Sequence, residues 1–269
     1  TAPASGKMAV SYNGDATFYM ADLSAYNLCN PEEKLELEVL AGLYDVEKKQ
    51  YFNYGSKFAD QAVMQRAYNW RLANIREGVN TYWLDKPLNS LTVAHKHSLR
   101  LDGGNDYIRY AMEVNYNNTP GVMKESGRER LGLGLELQYI YKNHSRVKAT
   151  NSPYGSFSEY TRLNPYVKYK DEDGNYIYEL EAEDRRSNTG SYKFFIYNPL
   201  YNTTLDVRDE SRYNDLTNLF GIDWQIIEGL RLKGSFSFTL QNTSADVFKP
   251  AKHTDFATYT GDDFDRRGS

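Results

Sequence analysis

The stretch RLGLGLELQYIYK, residues 130–142, alternates strictly: Leu131, Leu133, Leu135, Leu137, Tyr139 and Tyr141 fall on one parity. Gly132, Gly134, Glu136, Gln138 and Lys142 fall on the other, and Ile140 is the exception. Successive side chains of a strand point to opposite faces, so one face is a row of leucine ending in tyrosine and the other is small or polar. Covering six such side chains is worth on the order of ten kcal/mol at roughly 1.5–3 kcal/mol each, so the row demands an apolar neighbour. That neighbour is either a second sheet, as in a soluble sandwich, or lipid, as around a membrane barrel.

Other strands share the pattern. Phe220, Ile222, Trp224 and Ile226 form one apolar row and Leu230, Leu232, Phe236, Phe238 and Leu240 another. Equal parity requires an odd loop, and Ile227-Glu228-Gly229 supplies it, with glycine at the left-handed bulge position. A second hairpin pairs Val93–Leu101 with Ile108, Tyr110, Met112, Val114 and Tyr116 across an even loop containing Gly104-Asn105. Strands of about eleven residues match a tilted bilayer crossing better than the five or six common in soluble sheets. Short turns near Gly104 and Gly229, and long connections after Tyr116 and after Gln241, match the two ends of an outer-membrane barrel. On that topology an upward pass is needed between Lys142 and Asn218, where only residues 146–150 and parts of 166–181 look extended, so a strand is expected to be truncated or lacking there. About seven or eight spanning strands are expected, too few to close, and an open edge has no amide partners in lipid.

Before the hairpins the chain is helical. Asn30, Pro31 and Glu33 form an N-cap, a first-turn proline and a capping-box glutamate, followed by the stripe Leu35, Val39, Leu40 and Leu43. A second helix is predicted over residues 57–77, with Phe58, Ala62, Met64, Ala67, Tyr68, Leu72 and Ile75 on one side and Gly78 as its stop.

The chain carries 24 tyrosines and 12 phenylalanines, an excess that suits boundaries apolar on one side and wet on the other. A net charge of −4 and scattered cations provide no basic field, which argues against nucleic acid as a partner. Cys29 is alone, so neither a disulfide framework nor a thiolate metal site is expected. No run long and apolar enough for a transmembrane helix occurs, which leaves a barrel open. The opening TAPASGKMAV lacks the order of a signal peptide and is expected to be a mid-protein start.

Catalytic motifs do not persuade. GLGLE lies within a strand and opens no helix, YGSFS is not a nucleophile elbow, and His95 and His97 share a face without a visible third ligand. DEDGN, residues 171–175, fits a turn better than a calcium loop. No cofactor is expected and the chain is read as a non-enzyme.

Five long motifs carry a family resemblance: NTYWLDKPL (80–88), HSLRLDGGNDYIRYAMEVNYNNTPGVMKESGRERLGLGLELQY (97–139), SPYGSFSEYTRLNPY (152–166), NPLYNTTL (198–205) and DVFKPAKHTDF (246–256). In this order, and with GKMAVSYNGDATF before them, they resemble the SusC/RagA family of TonB-linked outer-membrane proteins of Bacteroidetes. The resemblance implies an all-β fold, part of a large antiparallel transmembrane β-barrel, 22-stranded in the family, with a helical extracellular excursion. It places the end of the plug and the first barrel strand in 1–20, the excursion in 21–90 and barrel strands with long outer loops in 91–269. It implies TonB-dependent import of oligosaccharides or peptides across the bacterial outer membrane, beside a SusD-like surface lipoprotein, with TonB contacted through a region absent here. The chain departs from the family in lacking most of the plug, the TonB box, later strands and the strand usual after Lys142. Tyr154, Tyr160 and Arg162 are candidate substrate contacts, because aromatic faces with a few polar groups line sugar sites. The competing reading makes that motif a structural loop. A soluble β-rich carbohydrate-binding or adhesin module is the alternative for the whole chain.

Overall fold

The computed structural model describes residues 6–45, 61–105, 108–187 and 190–257. They fall into two units, one of Thr1–Ala21, Asn89–Pro153 and Arg208–Phe248 and one of Asp22–Leu88, Tyr154–Val207 and Lys249–Ser269.

The first unit is a seven-stranded antiparallel sheet whose spatial order follows the chain. Its strands are β1 (Gly6–Tyr19), β2 (Thr92–Gly104), β3 (Arg109–Pro120), β4 (Gly127–Leu137), β5 (Ile140–Thr150), β8 (Arg208–Ile227) and β9 (Leu230–Phe248). The remaining pair, β6 (Glu179–Ser187) and β7 (Gly190–Tyr197), forms a separate hairpin in the second unit. Connections 105–108, 138–139 and 228–229 join strands at one end of the sheet, and 20–91, 121–126 and 151–207 at the other. The connection after β3, expected to be long, is six residues tied by Gly121 N–H to the Ser126 carbonyl at 2.7 Å.

Register aligns the apolar rows of successive strands. Leu133 faces Val114, Val114 faces Leu99 and Leu99 faces Tyr12, while Leu216 faces Leu240 and Phe220 faces Phe236. These side chains make one face, and its four β4 leucines remain 42–49% exposed. Among the described residues of this unit no second sheet interleaves with them. The opposite face is polar: Ser98, Asn115, Gly132, Ser145, Asp215 and Gln241 run across it in register. There Arg100 sits 3.6 Å from Asp102 and 3.5 Å from Glu113, and Asp215 accepts from Tyr213, Thr217 and Gln241 at 2.9–3.1 Å.

The opening motif is not a single strand. β4 stops at Leu137, Gln138 and Tyr139 make a two-residue turn, and Ile140 begins β5 directly opposite Leu137. A two-residue turn exchanges parity between its strands, so even positions of β5 join odd positions of β4. Ile140, the exception in the alternation, therefore belongs to the apolar face, while Tyr141 lies opposite Glu136 on the polar one. The pass expected to be lacking after Lys142 is β5 itself, which pairs with β4 on one side and β8 on the other. The exchange also brings Lys142, His144, Arg146 and Lys148 onto the leucine face, where a lysine had been assigned to the polar row. Lys148 is held by Glu210 at 2.8 Å and Arg146 by the Asn214 side chain at 3.2 Å.

The other turns follow the sequence more closely. At the β2–β3 turn Gly104 takes φ +134°, and Asn105 and Ile108 exchange hydrogen bonds of 2.8 and 2.9 Å. At the β8–β9 turn the odd count is met by Glu228-Gly229 plus a register shift between Gln225 and Ile227, with Gly229 at φ +84°.

In the second unit, α1 (Pro31–Leu40) starts on the expected capping box, with reciprocal Asn30–Glu33 bonds of 2.8 and 2.9 Å. The helix α2 (Gln61–Arg76) ends at Gly78, φ +81°, in a Schellman arrangement with Val79 N–H on the Asn74 carbonyl. Positions 57–60 and Phe58 of its predicted stripe lie outside the described residues. Its buried side is Met64, Arg71 and Asn74 rather than a wholly apolar stripe. A core of Trp83, Leu84, Tyr160, Tyr166, Val167, Leu180 and Leu200 forms the centre of this unit.

Two turn substitutions test this account in opposite directions. A Cβ at Gly104 would strike the Ile108 carbonyl in a backbone region disfavoured for L-residues, so Gly104→Ala is expected to cost about 1–3 kcal/mol in denaturant unfolding. Gln138 holds φ +42°, so Gln138→Gly is expected to be neutral or stabilising by up to about 1 kcal/mol.

Candidate functional site

The second unit gathers the charged and aromatic side chains that the sheet does not use. Tyr154, Tyr160 and Arg162 stand before, on and after α3 (Phe157–Tyr160), a single turn whose Ser156–Glu159 capping box fixes its start. Tyr160 is 1% exposed and its hydroxyl donates to the Tyr154 carbonyl at 2.8 Å, so both of its ends are committed to the fold. Burial pushes its phenol well above the ordinary tyrosine range and keeps it neutral. Tyr154 packs partly buried against the same core. Arg162 differs: it is exposed and lines a cavity of about 440 Å³. The structure thus separates the three, with two tyrosines supporting the loop and the arginine facing open space.

That cavity is walled by three stretches far apart in sequence: Asn27–Leu37 around the start of α1, Asn80–Trp83, and Thr161–Pro165. The second and third are held together by bonds from NTYW to residues 164–167. Trp83 Nε1 donates to the Asn164 carbonyl at 2.8 Å, Thr81 N–H donates to the Pro165 carbonyl at 2.8 Å, and Thr81 Oγ1 donates to the Val167 carbonyl at 2.8 Å.

Beside the core lies a charge network that sequence reading did not identify. Arg71 bridges Glu38 at 3.0 Å and Glu181 at 3.3 Å; all three are buried. Glu38 also accepts from Tyr166 at 2.8 Å and from Tyr44 at 2.5 Å, and Glu181 accepts from Asn164 at 2.6 Å. Burial drives the Tyr44 and Tyr166 phenols upward, with the adjacent carboxylates adding to it, so both remain donors. Burial alone would lower Arg71, but Tyr166, Glu181, Glu38 and Tyr44 outweigh it and hold the guanidinium charged. A second cavity of about 410 Å³, lined by Tyr44, Met64, Trp70, Arg71 and Glu181, opens on this network. The signal was present in the sequence: Glu38 shares a helical face with Leu35, and Arg71 one with Met64, placing opposite charges on two otherwise buried stripes.

His95 and His97 lie on the apolar side of β2. Tyr12 OH sits 2.6 Å from His97 Nδ1, and His95 Nε2 is 3.5 Å from Asn118 Nδ2. Among the described residues no group of three His, Cys, Asp or Glu side chains converges to hold a metal. DEDGN is a turn, with Asn175 N–H on the Asp171 carboxylate at 2.8 Å and Gly174 at φ +85°.

Comparison with known proteins points in one direction. The chain is 26% identical over 180 residues, 63% of its length, to a TonB-dependent receptor of Formosa agariphila, of which it spans 17%. Its fold is that of part of a solved structure of the RagAB peptide transporter, with TM-score 0.57, 14% identity, and coverage of 92% of this chain and 29% of that one. The RagAB importer in an open-open state aligns with TM-score 0.55 at 15% identity over 93% of this chain and 29% of its own. No family model matches the chain. It therefore spans less than a third of the solved chains it matches and about a sixth of the receptor.

Removing Arg71 would leave two buried carboxylates facing each other. Arg71→Leu is expected to destabilise by about 3–5 kcal/mol, and adding Glu38→Gln and Glu181→Gln to recover part of that loss, read from denaturant midpoints. His253 gives a pH test. Burial holds its imidazole below the usual value of 6.5, Asp255 opposing and Lys249 reinforcing, while Nδ1 accepts from Asp255 N–H at 3.2 Å. The unfolded chain binds the proton more readily, so this site leaves stability unaffected well above pH 6.5 and erodes it as pH falls through that value. His253→Asn is expected to flatten that slope.

Proposed function

We propose that this chain is an early part of the barrel of a TonB-linked outer-membrane importer of the SusC/RagA type, working as the channel component of a SusCD-like complex. Its cargo in this reading is an oligosaccharide or a peptide. The observation that carries it is the sheet: long antiparallel strands in sequence order, short turns at one end, excursions at the other, and an exposed leucine-aromatic face backed by a polar one. Likeness to a TonB-dependent receptor and to the RagAB transporter supports it.

In this reading residues 1–20 are the end of the plug and the first barrel strand, 21–90 an extracellular helical excursion, and 91–269 barrel strands with outer loops. The apolar face meets outer-membrane lipid and the polar face meets plug and lumen. The helices contact a SusD-like surface lipoprotein, and TonB acts through a region outside this chain. Transport is gated passage: solute captured between barrel and lipoprotein enters when TonB pulls the plug. Among the three residues singled out as substrate contacts, Arg162 retains the access a ligand needs, while Tyr154 and Tyr160 shape the loop that presents it. A soluble glycan-binding module would have to leave its leucine rows in water, at a cost the exposed face makes large.

The reading is tested with the full-length protein in cells. It is expected to sediment with outer membranes, to migrate faster unboiled than boiled, to co-purify with a surface lipoprotein, and to support growth on an oligosaccharide or peptide only when TonB is present. A monodisperse detergent-free protein that binds glycan alone would contradict it. Lys142 on the leucine face gives a finer check: Lys142→Leu is expected to stabilise the barrel in bilayers by up to about 2–4 kcal/mol, less if the site lies near the headgroups.

A further inference from the structure

We propose that the cavity beside Arg162 binds the carboxylate of a small monoanionic solute. This goes beyond the import reading and stands on the cavity's own chemistry.

Its volume of about 440 Å³ lies in the range of about 300–1,000 Å³ typical of small-molecule sites. Among the described residues no aspartate or glutamate lines it, although the chain as a whole is acidic with net charge −4; Arg162 and Lys34 both do. The Arg162 side chain pairs with no carboxylate and donates to no acceptor among the described residues; its bond is backbone, N–H to the Glu159 carbonyl at 3.2 Å. A guanidinium is a planar fork that matches a carboxylate through two parallel N–H···O bonds.

The charge count favours a monoanion. Lys34 is already shared with Glu38 at 3.6 Å, so among the described residues Arg162 supplies the one uncommitted positive charge on the wall. A dianionic phosphate would remain half-compensated. Around this charge stand polar groups free to recognise what flanks a carboxylate: the side chains of Asn27 and Asn80 and the hydroxyl of Tyr82, none of them bonded within the described chain. Asn30 and Asn164 are not available in the same way, being spent on the α1 cap and on Glu181. The wall is preformed, because Trp83 is 2% exposed and bonded to Asn164, and Tyr160 anchors the turn that precedes Arg162. A peptide C-terminus and a uronic acid share the required chemistry.

The test uses the full-length protein in detergent, with Cys29 as reporter because it is exposed and lines the cavity. N-acetylated trialanine (trialanine below), its C-terminal amide, glucuronate, glucose and inorganic phosphate are titrated by calorimetry, and Cys29 alkylation by N-ethylmaleimide is followed by mass spectrometry. Trialanine or glucuronate, or both, is expected to bind and to slow alkylation, whereas the amide and glucose do neither. Trialanine alone would assign a peptide terminus and glucuronate alone a uronate. Arg162→Gln is expected to weaken binding by about tenfold or more and Arg162→Lys by less, with unboiled migration unchanged to show an intact fold. Failure of both acids to bind, equal binding of the amide or glucose, tighter binding of phosphate, or unaltered affinity in folded Arg162→Gln would each overturn the proposal. None of these outcomes bears on TonB-dependent growth, so the import reading stands or falls separately.

Discussion

The first unit depends on one requirement: a continuous row of large apolar side chains on one face of a sheet needs an apolar neighbour, and the sheet does not provide one for itself. Leu131, Leu133, Leu135 and Leu137 align with Tyr116, Val114, Met112 and Tyr110 on β3, and the row continues across β8 and β9 through Leu216, Phe220, Leu240 and Phe236. Every interior strand has a hydrogen-bonded neighbour on each side, so the remaining demand falls chiefly on the side chains of that face and on the amides of the outer edges. A closed barrel in lipid meets both demands at once.

Against this background β5 is the irregular element. The two-residue turn at Gln138-Tyr139 places Lys142, His144, Arg146 and Lys148 among the leucines. Their charges are partly matched by Glu210 and by the Asn214 side chain. Long cationic side chains tolerate an apolar surrounding by extending their charged ends toward water, which is easiest near a membrane boundary. Arg146 and Lys148 sit toward the end of the sheet that bears the long connections, where in the proposed barrel such extension would be shortest.

The legibility of the sequence followed the strength of its local signals. The Asn30–Glu33 capping box, the Gly78 stop, and the parities of the β2–β3 and β8–β9 turns were all readable, because each is set by residues within one turn of one another. The β4–β5 turn was missed because Gln138-Tyr139 carries no glycine or asparagine, and because Tyr139 and Tyr141 extended the leucine parity by chance. Of the hairpin β6–β7 only residues 179–181 fell within a stretch read as extended, because the charged run 183–186 offers no apolar alternation. At the candidate site, the tyrosines of SPYGSFSEY admitted two readings, ligand platform and loop scaffold, with the scaffold favoured. Only burial separates Tyr160 from Arg162, and burial is set by Trp83, Leu84 and Leu200, far along the chain.

The most direct measurement of the central claim is the environment of the leucine row. With Cys29 changed to serine, nitroxide labels placed singly at Leu133→Cys and Gly134→Cys in the full-length protein report collision with oxygen, which partitions into lipid, and with a water-soluble nickel chelate. The account expects Leu133→Cys to be open to oxygen and shielded from nickel in bilayers, and its neighbour to lack that lipid signature. Free access of nickel to position 133, or protection from both reagents, would place water or protein against the row and contradict the account.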